Sequence, residues 1–418
     1  MRFFILIVSL VSSSVAFAQD EAYVKELIDS LCAPGYHGRG YVEQGDVKAS
    51  QFIAKECMKL GVNPVGEDYF QPFFLGVNTY PGEAYLSLNE VPKIVGEDWI
   101  MNPGSQQIQG DYQVVTFKEK WAGNEEKVFK LINKGKFKNK LVLFDQTTGS
   151  TAYQTLIDQA VHNPLEASGY VVITDKKHTW SVGRRLIESP VLYVTKDSNQ
   201  RKVKVASIDL DQAWIDHYKT HNVVSIIPGK SDSMVVFTAH YDHLGRMGAK
   251  TYIAGASDNA SGSAMLLDLA KHYKENPPEY TTVFIWFAGE EAGLVGSSHF
   301  VEHPMIDLEK IKFLLNLDLM GDAEKGITVV NGKVFTESFD AMKRVNDEGN
   351  YLSMVKARGS TANSDHYPFY EKGVPSFFIY TVGSYKHYHD IYDVPENLPL
   401  TNYSEVFNLV VDFVEKGL

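Results

Sequence analysis

Thr282-Val283-Phe284-Ile285-Trp286-Phe287-Ala288-Gly289-Glu290-Glu291-Ala292-Gly293-Leu294 decides how this chain folds. Its first six residues are apolar, β-branched or aromatic, and a glycine closes the run. A short run of this kind reads as a strand buried on both faces. Two adjacent glutamates follow at its carboxyl end. Adjacent residues project differently, so one can ligate a metal while the other takes a proton from water that the metal activates. An acidic turn is the plainer alternative.

The same pattern recurs on either side. Met234-Val235-Val236-Phe237-Thr238 runs into His240-Tyr241-Asp242-His243, Phe313-Leu314-Leu315-Asn316-Leu317 runs into Asp318, and Ser376-Phe377-Phe378-Ile379-Tyr380 is a further apolar run. Helical periodicity covers Ser263 to Tyr273 and Asn402 to Lys416. Apolar runs alternating with helices predict an α/β fold: a mixed, mostly parallel sheet covered by helices. Ligands bind such sheets at the carboxyl ends of the strands.

The candidate ligands sit there. In an extended segment His240 and Asp242 share a face and His243 points the other way, so Asp242 is placed to orient the His240 ring. Asp258 lies in Gly255-Ala256-Ser257-Asp258-Asn259-Ala260-Ser261-Gly262, a stretch that equally suits a helix N-cap. Asp318, between Leu317 and Leu319, needs a partner. In Lys386-His387-Tyr388-His389-Asp390, spacing leaves both histidines open as ligands. Two histidines and three carboxylates suit zinc, and manganese or cobalt as well. One bridging carboxylate would let five ligands hold two ions about 3.5–4 Å apart.

The chain has 418 residues, with 40 Lys+Arg against 52 Asp+Glu and a formal charge of −12. An acidic chain without a long basic run argues against nucleic acid or an anionic membrane as partner. No G-x-S-x-G, G-x-G-x-x-G or P-loop pattern is present, which argues against a serine hydrolase or a nucleotide-binding protein. Met1-Arg2, the apolar run Phe3 to Val11 and Ala16-Phe17-Ala18 read as a signal peptide cleaved after Ala18. The run is shorter than the roughly 20 residues of a spanning helix. Export to the periplasm or full secretion is expected, where a Cys32–Cys57 disulfide is permitted but not required. The expected division is 1–18 signal peptide, 19–90 first part of the main domain, 91–224 an inserted smaller α/β or β-rich domain, and 225–418 the catalytic domain.

The ordered set Thr238-Ala239-His240-Tyr241-Asp242, Gly255 to Gly262, Phe287-Ala288-Gly289-Glu290-Glu291, Asn316-Leu317-Asp318 and Tyr388-His389-Asp390-Ile391-Tyr392-Asp393 resembles the M28 family of zinc peptidases. The resemblance is strong over about residues 225–418 and weak over 22–66, where His37-Gly38-Arg39-Gly40 carries it. It implies two zinc ions: His240 and Asp318 on the first, Glu291 and His389 on the second, and Asp258 bridging. Glu290 would be the general base and return the proton to the leaving amine, Asp242 would orient His240, and Tyr388 would help polarise the scissile carbonyl. The choice of His389 over His387 follows the family's pattern of an acid four positions later, here Asp393. Asp390 departs from the Thr that many members carry after the ligand. Ser364-Asp365-His366-Tyr367-Pro368-Phe369 resembles a further family segment, with His366 supporting rather than ligating. Lys140 to Asp145, Gly169 to Thr174 and Ser189 to Asp197 resemble the protease-associated (PA-like) insertion of many members.

These implications make the chain an exported aminopeptidase acting on peptide or protein N-termini. Phe369, Tyr370 and Tyr385 hint at an apolar substrate pocket. The alternatives are a glutaminyl cyclase-like relative with one zinc, a carboxypeptidase-like relative using Arg358 for the substrate carboxylate, and a non-catalytic binding module.

Overall fold

The computed structural model of the chain describes residues 21–197 and 202–418. The expected signal peptide, 1–18, lies outside the described residues. Two sheets organise the rest. The larger has nine strands. At its centre Tyr280–Phe287, Ser231–His240, Ile311–Leu317 and Ser376–Val382 lie side by side and parallel. Antiparallel neighbours flank them: Ala213–Ile227 beside Tyr280–Phe287, and Gly326–Val330 beside Ser376–Val382.

Alternation sorts the side chains of these strands between two cores. Val235, Phe237, Phe284 and Trp286 pack with Ile53, Leu266, Met342 and Val406. Those partners come from helices Gly45–Lys59, Gly262–Glu275, Thr336–Gly349 and Tyr403–Asp412. Val236, Val283, Ile285 and Phe287 face the other way, toward Phe300 and Phe369 of helices Val295–Glu302 and His366–Glu371. Both faces are therefore dry, which is why most positions along these strands are apolar. Among the described residues no helix is long and apolar enough to cross a membrane.

The second sheet has eight strands. Ile108–Thr116, Leu141–Asp145, Gly169–Thr174 and Val191–Thr195 run parallel at its centre. One face packs Phe144 and Tyr170 against Tyr153 and Ile157 of helix Thr151–Asp158. The other packs Leu143, Val171 and Leu192 with Leu244, Met247 and Ile253 from the main unit. Ala84–Leu88 and Val205–Leu210 also pair within this sheet, whereas Phe70–Thr79 pairs with Ala213–Ile227. Strand pairing thus places Ala84–Leu88 and Val205–Leu210 in the second sheet, and Phe70–Thr79 and Ala213–Ile227 in the first. Cys32 and Cys57 are both buried free thiols. They lie in one apolar core, where cysteine serves as a small hydrophobe.

Candidate metal centre

The parallel strands end on the residues that the sequence singles out. His240 is the last residue of its strand, and Asp318 follows Leu317 directly. Glu290 and Glu291 lie in the turn after Phe287. Asp258 sits in the Ala256–Ser261 turn that leads into helix Gly262–Glu275. His389 is in the loop after Ser376–Val382.

Asp258 divides its two carboxylate oxygens between two groups. Its Oδ1 lies 3.3 Å from His240 Nε2, which is itself 3.4 Å from Asp318 Oδ1. Its Oδ2 lies 3.1 Å from His389 Nε2, which is 3.3 Å from Glu291 Oε2. Ligands at the usual zinc distance of about 2.0–2.1 Å in a tetrahedron stand about 3.3 Å apart. His240 Nε2 and Asp318 Oδ1 are buried without any hydrogen-bond partner. Buried polar atoms left unpaired are costly, and a cation between them removes that cost. The residues fit the two-metal set that the resemblance implies.

Surrounding groups fix each ligand. Thr238 Oγ1 donates to Asn316 Oδ1 (2.7 Å), Asn316 Nδ2 to Ser364 Oγ (2.8 Å), and Ser364 Oγ to Asp318 Oδ2 (2.9 Å). The backbone N–H groups of Ser257 and Asp258 donate to Asp393 at 2.8 and 3.1 Å. Asp393, the acid expected after His389, therefore holds the Asp258 turn. Arg39, fully buried, gives its guanidinium to the carbonyls of Ala254, Gly255 and Asp258 in the same turn, and to Tyr241. His240 Nδ1 lies 3.1 Å from the main-chain carbonyl of Asp242 and 3.8 Å from its carboxylate. That carboxylate accepts from the Glu290 N–H (3.2 Å) and the Tyr41 hydroxyl (3.4 Å).

One expectation is overturned. His243 does not point away: its Nδ1 is 2.7 Å from Glu291 Oε1. The strand stops at His240, so strict alternation no longer governs three residues later. His387 stays outside the cluster, beside Asp390 at 3.5 Å. His366 is buried against Phe378, with neither ring nitrogen paired.

The charges explain each other. Burial lifts Glu290 well above the usual carboxylate range, and Asp365, Glu291 and Asp318 add to the rise while His240 opposes it. Burial likewise lifts Asp242 to about 8 and Asp365 to about 7. Burial works against ionised Asp258, but His240 and His389 hold it well below the usual range. His389 is raised to about 11: burial opposes this, but Glu291 and Asp258 outweigh it. Metal binding replaces protons at such imidazoles.

A cleft of about 300 Å³ opens over the cluster, with Phe378, Tyr380, Tyr388 and Arg358 in its wall. Tyr388 stacks on His389 with centroids 3.9 Å apart. Of the aromatics expected in a pocket, Phe369 is fully buried in the core and Tyr385 donates to Asp393 Oδ1 (2.8 Å). Besides Tyr388, the cleft aromatics Phe378 and Tyr380 come from the strand Ser376–Val382, whose apolar run reads as core.

Residues 222–414 match the model of Peptidase family M28. A probable leucine aminopeptidase of Trichophyton verrucosum is 29% identical over 49% of this chain, and the aligned part spans 57% of that relative's own length. Aminopeptidase YwaD of Bacillus subtilis is 28% identical over 45% of this chain and 41% of its own. The chain thus spans about half the length of the curated relatives it matches. Among solved structures, the zinc aminopeptidase BSAP of Bacillus subtilis superposes with a TM-score of 0.67 at 20% identity, covering 94% of both chains. A Peptidase M28 precursor of Shewanella amazonensis gives 0.66 at 18% identity, covering 95% of this chain and 94% of the other. Both superpositions extend over the second sheet, so the two-sheet architecture is shared as a whole. The sequence match and the fold agree: residues 222–414, a little under half of the chain, match peptidase family M28, and the chain shares its fold with both of these structures.

Proposed function

We propose that the chain is an exported, two-zinc aminopeptidase. The observation that carries the reading is the division of the Asp258 carboxylate between the His240–Asp318 pair and the His389–Glu291 pair. The matches to aminopeptidases, one described as a zinc enzyme, support it. Zinc bound there would supply Lewis acidity toward a carbonyl and toward water.

The chain's own residues do the rest. Glu290 stands in the cleft wall beside both groups, where its carboxylate takes the proton of the attacking water and gives it to the leaving amine. The Asp242 carboxylate holds the Glu290 backbone from below. Tyr388, half-exposed over His389, is placed to donate to the oxygen on which charge develops. The acidic cleft floor suits a protonated amino terminus. Residues 84–210 would be the PA-like insertion.

Arg358 in the cleft wall favours a second reading, recognition of a substrate carboxylate by a carboxypeptidase. Mass spectrometry of short peptides with free and acetylated N-termini separates the two. Loss of the first residue from free N-termini alone, abolished by a chelator and restored by zinc, is the expected result. Loss of the last residue would transfer the assignment to the carboxypeptidase, and unchanged peptides would sink both.

A further inference from the structure

Besides the packing of Leu244, Ile253 and Ile391 against its core, the inserted unit hydrogen-bonds to the loops around the metal cluster through one short segment, residues 177–184. Trp180 makes two backbone contacts with His389. Its N–H donates to the His389 carbonyl, and its own carbonyl lies 2.9 Å from His389 Nδ1, also the first distance. Trp180 is anchored on the far side: its ring is buried in the second unit's core, and Nε1 donates to the Met101 carbonyl at 3.1 Å. Lys177 Nζ pairs with Asp390 Oδ2 at 2.5 Å and donates to the Lys386 carbonyl at 2.7 Å. Arg184 Nη1 donates to the carbonyl of Ala292, next to Glu291, at 2.9 Å. Gly183 accepts the Asn78 N–H at 2.7 Å, which fixes the end of the segment to the main unit.

These contacts fall on one side of the cluster. They hold the loops of His389 and Glu291, the residues grouped with Asp258 Oδ2. The other group is held from within the main unit: Asp318 by Ser364, and His240 by the Asp242 carbonyl. A ligating histidine is set by the acceptor on its second nitrogen, and loss of that support weakens metal binding. Here the acceptor of His389 is a main-chain carbonyl of another folding unit.

We infer that the segment Lys177–Arg184 is a positioning element for one metal position only, that of Asp258, Glu291 and His389, and sets its affinity separately from the other. The inference rests on the two-metal reading above. It also gives the second unit a role at the metal centre: movement of that unit loosens one ion and leaves its neighbour bound.

The test is competition of the full-length protein with a chromophoric chelator, counting zinc released per chain. Wild type, Lys177→Met, Arg184→Met and the double variant are compared, with Lys177→Arg as the conservative control. Lys177 and Arg184 are largely exposed, so the variants keep the core. The expected result is two steps, of which the weaker shifts by about 10–100-fold in the double variant. The tighter step, and the melting temperature of the metal-free protein, stay where they are, and Lys177→Arg behaves as wild type. Two unchanged steps, or two that weaken together with a lower metal-free melting temperature, would overturn the inference. A wild type that releases fewer than two zinc ions would instead bring down the two-metal reading and this inference with it.

Discussion

Glu290, half-buried at the cleft, and Asp46, fully buried, are two carboxylates that their surroundings shift in the same direction and chemistry treats differently. Glu290 faces the cleft, and nothing in its role is structural except its own backbone. Glu290→Gln keeps the shape and removes the base, so turnover should fall about 10²–10⁴-fold with zinc content unchanged, as read by steady-state kinetics and metal analysis of the same sample. Asp46 has no substrate to meet. It accepts from Tyr218 (2.5 Å) and Thr220 (2.6 Å), which fastens helix Gly45–Lys59 to the strand Ala213–Ile227. Burial still lifts its carboxyl to about 6, although both donors pull it down. The unfolded group titrates near 3.9. Below that value both states are protonated, and between roughly 4 and 6 only the folded state holds the proton. Its contribution to stability is therefore lost as pH rises through that window and is constant above it. In urea titrations, the difference between wild type and Asp46→Asn should fall from pH 4 to 6 and then flatten. A difference that does not change with pH would contradict the sign argued here. The sequence marked out Glu290 because it stands beside a second glutamate at a strand end. It could not mark Asp46, an acid on a helix whose buried face only the packed sheet reveals.

The central strands show why the fold was so legible. A run such as Val283 to Phe287 has no polar position, so it can only lie between two covered faces. Phe284→Ala should cost about 3–5 kcal/mol. Phe74→Ala, on a strand of the same sheet but 60% exposed, should cost less than about 0.5 kcal/mol. Chemical denaturation of the two variants checks the contrast, and equal losses would mean that the core is elsewhere. Where periodicity ends, legibility ends. His243 was misplaced because the extended geometry that sorts His240 from its neighbours stops at His240 itself. Phe378 and Tyr380 were absorbed into a core strand, although the cleft exposes the end of that strand. Trp180 acts on His389 through its backbone, and a carbonyl has no residue type by which to recognise it. The short pieces Ala84–Leu88 and Val205–Leu210 reveal their sheet only once paired with each other.

At the scale of the whole molecule, the candidate metal cluster joins parts of the chain that are distant in sequence. His240, Asp258, Glu291, Asp318 and His389 come from separate strand ends and loops. On the two-zinc reading, ions that bind the folded state alone stabilise it by mass action. Chelation should therefore lower the melting temperature by roughly 5–10 °C, with recovery on adding zinc. An unchanged melting curve would show that the cluster stands without ions. The inserted unit enters and leaves this assembly at one place. Thr79 and Ala213, the residues on either side of it, are cross-strand partners in the antiparallel pair Phe70–Thr79 and Ala213–Ile227. A tight turn between those two positions would close an ordinary hairpin and leave the large sheet's topology as it is. Ancestral chains could thus have acquired or shed the whole unit in one genetic step, with the sheet's register intact on both sides of the junction.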